Sequence, residues 1–180
     1  MEGLPPLSTT KPFGVTLATE LVAELTERGL TVAVAESLTG GLLVAELISV
    51  PGASKVVTGG VVAYSTELKH TLLGVPAGLL ARHGPVDPDV AIEMAARVRE
   101  LLAVDGVPAD IGLATTGVAG PGSQDGHPAG TAFIAVAIGG DARAVGLELG
   151  GTRGDIRKRV VSESLSQLKQ RLIEKFAIGE

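Results

Sequence analysis

Hydrophobic positions change their spacing several times along this chain, and each change marks an element. Val15, Ala18, Leu21, Val22 and Leu25 keep the three-and-four spacing of an amphipathic helix over Val15–Leu25, which Gly29 ends. Thr31–Ala35 reads as a short buried strand, and Leu42–Ile48 as a largely apolar helix closed by Pro51-Gly52. Val56–Tyr64, rich in β-branched residues, is a second strand, where Gly59-Gly60 signals a bulge or a close backbone approach. Ser65 can cap a helix through Leu73, which Gly74 and Pro76 stop. A short helix follows over Ala77–Arg82, and Asp87-Pro88 starts a longer one to about Val104, with Val90, Met94, Val98 and Leu101 on one face. Ile111–Thr115 is a third strand. Thr131–Ile138 and Ala142–Leu149, joined by Gly139-Gly140-Asp141, form a hairpin. The last helix runs from about Asp155 to Phe176, with Ile156, Val160, Leu165, Leu168, Leu172 and Phe176 inward. This order predicts an α/β fold in which residues 13–180 form a single domain, one mixed sheet with helices packed on it. Residues 1–12, with Pro5-Pro6 and Lys11-Pro12, read as a poorly ordered arm.

Composition narrows the function. At 180 residues the chain can bury a substantial core, built from Val, Leu, Ile and Ala because only 2% of residues are aromatic. A net charge of −5 leaves no basic stripe for nucleic acid, although the cluster Arg153 to Arg159 could serve a single phosphate. No apolar run is long enough to span a membrane and no signal peptide is visible, so the cytoplasm is the expected location. The chain has no cysteine, which excludes disulfides, thiolate zinc sites and cysteine nucleophiles. His70, His83 and His127 are too dispersed for a ligand-spaced pair or a local serine–histidine triad. Neither a metal nor a cofactor is expected.

Polar groups collect at predicted strand ends: Glu36-Ser37-Leu38-Thr39, Tyr64 to Lys69, Thr115-Thr116-Gly117 and Gly151-Thr152-Arg153. Ligands of open α/β sheets bind outside the carboxyl ends of the strands, so these loops could share one crevice. Ser37 sits at a strand–turn–helix junction with Gly40-Gly41 behind it. That suits a nucleophile beside an oxyanion hole or a phosphate cradle, fed by unpaired N–H groups of the helix N-terminus; the competing reading makes Ser37 or Thr39 a helix N-cap. Lys69 is either a solvated helix lysine or a desolvated base for Ser37, the dyad that remains when histidine and cysteine are absent. Tyr64 relays a proton or orients the amine, or is a core-edge aromatic with one satisfied hydroxyl. Glu36 orients Lys69 or Tyr64, or is a solvated strand-end acid. Thr116-Gly117 opens a Gly/Pro loop to Gly130 whose N–H groups could wrap an anion. Arg153 and Arg157 either hold a phosphate or carboxylate or pair with Asp155 or Glu148 on the surface. His127 has no assigned role.

Read together, these segments resemble the C-terminal domain of the CinA family, the competence/damage-inducible protein A group. The matching pieces are Ala35-Glu36-Ser37-x-Thr39-Gly40-Gly41, Val50-Pro51-Gly52-Ala53-Ser54, Gly59 to Ser65, Lys69 with Leu72 to Val75, His83-Gly84-Pro85-Val86, Thr116 to Gly122, Gly130-Thr131, and Arg153 with Ile156-Arg157. They extend in family order over about residues 15–175. Ser123 to His127 and Gly151-Thr152-Arg153 depart from the usual loop and turn of the family. The resemblance implies a three-layer α/β/α domain and a nicotinamide-nucleotide amidohydrolase, which converts nicotinamide mononucleotide to nicotinic acid mononucleotide and ammonia. By that likeness Ser37 is the nucleophile, Lys69 its base and Tyr64 an assistant. Thr116, Gly117 and Arg153 are expected at the substrate, as are Glu36, Thr39, Gly40 and Gly41 from the serine turn. The alternatives are a non-catalytic nucleotide-binding or regulatory module and an amidase for another amide. A homo-oligomer, most simply a dimer, is expected of a small α/β domain.

Overall fold

The computed structural model describes residues 16–176, so the expected arm over 1–12 lies outside the described residues. Strands β1 (Val32–Glu36), β2 (Val57–Val62), β3 (Ile111–Gly117), β4 (Thr131–Ile138) and β5 (Asp141–Glu148) form one sheet in the order β2-β1-β3-β4-β5. The first three are parallel, and β4 and β5 continue antiparallel, so the sheet is mixed. Helices α1 (Leu17–Arg28), α2 (Leu42–Ile48), α3 (Thr66–Thr71), α4 (Ala77–His83), α5 (Pro88–Leu101) and α6 (Arg153–Phe176) complete the three-layer domain. Among the described residues no helix is long and apolar enough to cross a membrane.

The alternation of large and small residues in the strands decides which helices cover which face. Val32, Val34, Ile111, Leu113, Val136 and Ile138 point to one side, where α1, α2 and α6 bury Leu21, Leu25, Leu43, Leu47, Leu168 and Leu172 against them. Ala33, Ala35, Ala114, Ala135 and Ala137 point to the other, where α5 packs Val90, Ala91, Met94, Ala95 and Val98. Side chains that small let α5 come down onto the sheet. Gly112 marks the closest approach: a Cβ there would stand 1.8 Å from the carbonyl oxygen of Ala95.

Several boundaries differ from the periodicity, each for a local reason. β2 is shorter than expected and bulged, since Val57 pairs with Val32 but Gly59 with Ala33; a Cβ on Gly60 would meet Val44 of α2 at 2.9 Å. Helix α5 stops at Leu101 rather than near Val104 because Asp105 and Gly106, at φ +52° and +78°, form a tight turn that pairs Val104 with Val107. Strand β3 runs two residues further, to Gly117, because Thr116 and Gly117 pair with Phe133 and Ala132. Helix α6 starts at Arg153, ahead of Asp155, where Asp155 accepts from Thr152 N–H and hydroxyl while its own N–H returns to Thr152 Oγ1. Ser65 occupies the cap position of α3 without a side-chain bond. Phe176 lies exposed under the Arg28 guanidinium, 4.8 Å from its ring centre, rather than inward.

The contact at Gly112 can be tested directly. Gly112→Ala forces α5 off the sheet and lowers unfolding free energy by ~3 kcal/mol in urea titration. Gly150→Ala, with no atom within 4 Å of the added methyl, changes it by less than ~0.5 kcal/mol.

Candidate active site

The carboxyl ends of the three parallel strands open into one pocket of about 260 Å³. Its walls include Ser37 after β1, Tyr64 after β2, Lys69 of α3, Thr116 and Gly117 of β3, and Arg153 of α6, closed by Pro85 and the loop from Val118 to Gln124. The four strand-end loops expected to share a crevice do share one.

Ser37 leaves β1 with its N–H still on Thr115 O at 3.0 Å, so the sheet sets its position. Its carbonyl accepts from Gly40 N at 3.1 Å and closes a turn. The side chain is 8% exposed, and its Oγ bonds no protein group among the described residues. The cap of α2 is Gly41, without a side-chain bond, so neither Ser37 nor Thr39 is an N-cap.

Glu36 does something the sequence reading did not anticipate. It is fully buried, and its carboxylate accepts from Gly41 N (2.9 Å), Leu43 N (3.0 Å) and Val44 N (2.8 Å). The N-terminus of α2 is therefore occupied from within, and no anion can use those donors. Glu36 hydrogen-bonds neither Lys69 nor Tyr64. Thr39 is buried behind the turn, its Oγ1 sharing a 2.7 Å hydrogen bond with Thr115 Oγ1. Gly40 and Gly41, at φ +60° and +95°, carry the chain from the turn into α2. The structure thus places Glu36, Thr39, Gly40 and Gly41, expected at the substrate, outside the pocket lining, where they hold the serine turn.

Lys69 is 1% exposed, not solvated. Its Nζ donates to Pro85 O at 2.7 Å and to Thr116 Oγ1 at 2.6 Å, and the Thr116 hydroxyl itself donates to Pro85 O at 2.6 Å. No carboxylate lies within ion-pair distance among the described residues. Loss of water around the ammonium pulls its pKa down from 10.5 to about 8, and the Asp125 carboxylate on the loop opposes that fall. At pH 7 roughly a tenth of such an amine is neutral.

Tyr64 stands at the rim, 61% exposed. Its hydroxyl accepts from Arg153 Nη2 at 2.8 Å, while Arg153 Nη1 donates to Gly120 O at 2.8 Å. That link ties the β2 end, the α6 start and the loop into an outer wall; Tyr64 bonds neither Lys69 nor Ser37. Arg157, one turn along α6, makes no ion pair among the described residues. It reaches the back of the serine turn, donating from Nε to Leu38 O (2.9 Å) and from Nη2 to Thr39 O (2.6 Å). Sequence reasoning missed this role, and the Pro85 carbonyl too; a backbone acceptor leaves no side-chain signal. Within the long loop, Asp125 and Gly126 at φ +51° and +81° turn a small hairpin that pairs Gln124 with His127.

Comparison with known proteins agrees with this architecture. The model of the CinA C-terminal domain matches residues 15–172. A "CinA-like protein" of Gemmatimonas aurantiaca is 44% identical over 155 residues, covering 86% of this chain and 35% of that protein. The chain spans about a third of the length of the relatives it matches in sequence. Among solved structures, a competence or damage-inducible protein from Enterobacter asburiae superposes with TM-score 0.82 at 34% identity, covering 87% of this chain and 96% of that one. A CinA superfamily protein from Enterobacter cloacae gives TM-score 0.81 at 32% identity, covering 96% and 98%. The chain belongs to the CinA C-terminal domain family.

Proposed function

We propose that this domain hydrolyses the carboxamide of nicotinamide mononucleotide, releasing ammonia and nicotinic acid mononucleotide through an acyl-enzyme on Ser37. The observation that carries the reading is a lysine buried without a carboxylate partner among the described residues, in the pocket that also holds Ser37. A cation without a counter-ion in that setting is destabilising, and its chemical return is an amine that loses its proton near neutral pH.

The hydrogen bonds of Lys69 support the same role. A neutral amine has two N–H donors and one lone pair; Pro85 O and Thr116 Oγ1 take the donors. The lone pair is left for the Ser37 proton. Ser37 Oγ then bonds the amide carbon, the carbonyl electron pair moves to oxygen, and Lys69 becomes an ammonium. That ammonium protonates the departing nitrogen as the C–N bond breaks, and the regenerated amine takes a proton from the water that cleaves the acyl ester. Thr116 in this reading orients the base. Arg153 and Tyr64, on the open side, meet the nucleotide, with the guanidinium directed to its phosphate.

Ser37→Ala is expected to lower ammonia release from nicotinamide mononucleotide by at least ~10³-fold, with nucleotide affinity by calorimetry little changed. Ammonia release by Ser37→Ala at the parent rate ends this mechanism, and a folded parent that binds the nucleotide without turnover favours a binding module. Because only neutral Lys69 accepts the proton, kcat/KM should rise about tenfold per pH unit below the pKa of about 8 and level above it. A flat profile from pH 6 to 9 removes Lys69 as the base.

The same burial has a consequence for stability. The folded pKa of about 8 lies below the ordinary 10.5, so the unfolded chain binds more protons between those values. Parent stability is therefore lowered in full below pH 8 and recovers as pH rises towards 10.5. Lys69→Met removes the charge, and Thr116 and Pro85 still satisfy each other. The variant should be more stable than the parent at pH 6.5, by ~3 kcal/mol at most, with the advantage shrinking by pH 10 in urea titrations. Equal stability of the two proteins at pH 6.5 contradicts the burial argument.

A further inference from the structure

Hydrolysis through Ser37 needs donors for the oxygen that takes the carbonyl electron pair, and the hydrogen bonds of the serine turn narrow the choice. Ser37 N is held by Thr115 O, Gly40 N by Ser37 O, Gly41 N by Glu36, Leu42 N by Thr39 O, and Leu43 N and Val44 N by Glu36. Two N–H groups of the segment remain without a protein acceptor among the described residues, those of Leu38 and Thr39. Thr39 is fully buried and does not line the pocket, whereas Leu38 does line it. The Leu38 side chain belongs to the apolar cluster with Ala119, Ile156 and Val160 at that wall. Of the two open donors, that of Leu38 therefore belongs to the residue a ligand in the cavity can reach.

Peptide geometry agrees. In a trans peptide the N–H points opposite to the carbonyl of the same unit. The Ser37 carbonyl is turned in to Gly40 N, so the Leu38 N–H points out of the turn. Arg157 fixes the next two peptide planes by holding the carbonyls of Leu38 and Thr39. Gly40 leaves it the space: a Cβ there would stand 3.1 Å from Arg157 Nη2.

The geometry points to the Leu38 N–H as the oxyanion donor of this site, with Arg157 as the positioning residue that aims it. The inference rests on the hydrolase reading above and assigns a group that the Gly40-Gly41 segment cannot supply, its N–H groups being held by Ser37 O and Glu36. Arg157 itself touches no reacting atom. It acts by locking the turn, so its loss should lower the rate of the chemical step without moving the pKa of Lys69, which is held elsewhere by Pro85 and Thr116.

The test uses the whole chain labelled with ¹⁵N and pyridine-3-carboxaldehyde as probe. Ser37 Oγ adds to the aldehyde carbon, the C=O electron pair moves to oxygen, and the serine proton passes through Lys69 to that oxygen, which occupies the oxyanion position as the hemiacetal hydroxyl and can accept the Leu38 N–H. The expected result is a downfield displacement of the Leu38 amide proton on adduct formation, absent in Ser37→Ala. Arg157→Met should then lose about 100-fold in kcat on nicotinamide mononucleotide. Its KM should stay within about threefold of the parent value and the midpoint of its pH profile should be unchanged. An adduct at Ser37 without displacement of the Leu38 amide overturns this inference alone, as does a folded Arg157→Met with parental kcat. No adduct and no turnover in the parent overturn the hydrolase reading and this one with it. The aldehyde titration of the parent decides the matter if Arg157→Met does not fold.

Discussion

The site depends on one buried carboxylate. Glu36 ends β1 between β2 and β3, paired in register with Val62 and Thr115, and its side chain gathers three N–H groups from the start of α2. Strand, turn and helix thereby become one rigid piece. An exposed Ser or Asp cap would fasten the first turn of a helix only to itself. A carboxylate delivered from the strand fastens the helix to the sheet, and without it three enclosed donors would stand unpaired. Ser37 is the residue between these two anchors, so its place is set by the central strand of the parallel half of the sheet.

Around that fixed point the sheet gathers groups from distant parts of the chain. Small residues on one face let α5 settle close to β3, and Leu79 and Leu80 of α4, with Leu73 and Val75 between α3 and α4, pack into the same cluster. This brings Lys69 and the Pro85 carbonyl to Thr116. The two buried charges of the site are treated in opposite ways. Glu36 is surrounded by donors whose orientation favours a negative group. Lys69 has only a hydroxyl and a carbonyl, dipoles too few to replace the water it lost, and its proton is held loosely in consequence.

Much of this was legible in the sequence, because strand alternation and helix spacing are local properties. α2 fell on Leu42–Ile48, and the strand-end loops could be placed beside one another from element order alone. Where boundaries moved, a tertiary partner or a turn prevailed: β4 drew Thr116 and Gly117 into β3, and Asp105-Gly106 ended α5 early. The resemblance pointed to Ser37, Tyr64, Lys69, Thr116, Gly117 and Arg153, which do line one pocket. It could not distinguish groups facing the cavity from groups behind the turn. Glu36 and Ser37 are neighbours in the chain with opposite surroundings, and that division depends on where α2 starts relative to β1. Arg157 was hidden for a related reason, since its partners are backbone oxygens 119 and 118 residues away.

The pocket has a dry side and a wet side, and the difference bears on what family membership can say. Ser37, Lys69 and Thr116 are buried, and backbone partners fix the Ser37 main chain and the Lys69 and Thr116 side chains. Tyr64, Arg153 and the loop from Gly122 to Gln124 are exposed and held by a few bonds between side chains and loops. Groups of that kind can be exchanged or re-aimed with little effect on the core. In the proposed reaction, recognition of the nucleotide would fall to them and chemistry to the buried side. Shared architecture therefore carries more weight for the buried arrangement than for the ligand, which the open wall must specify residue by residue.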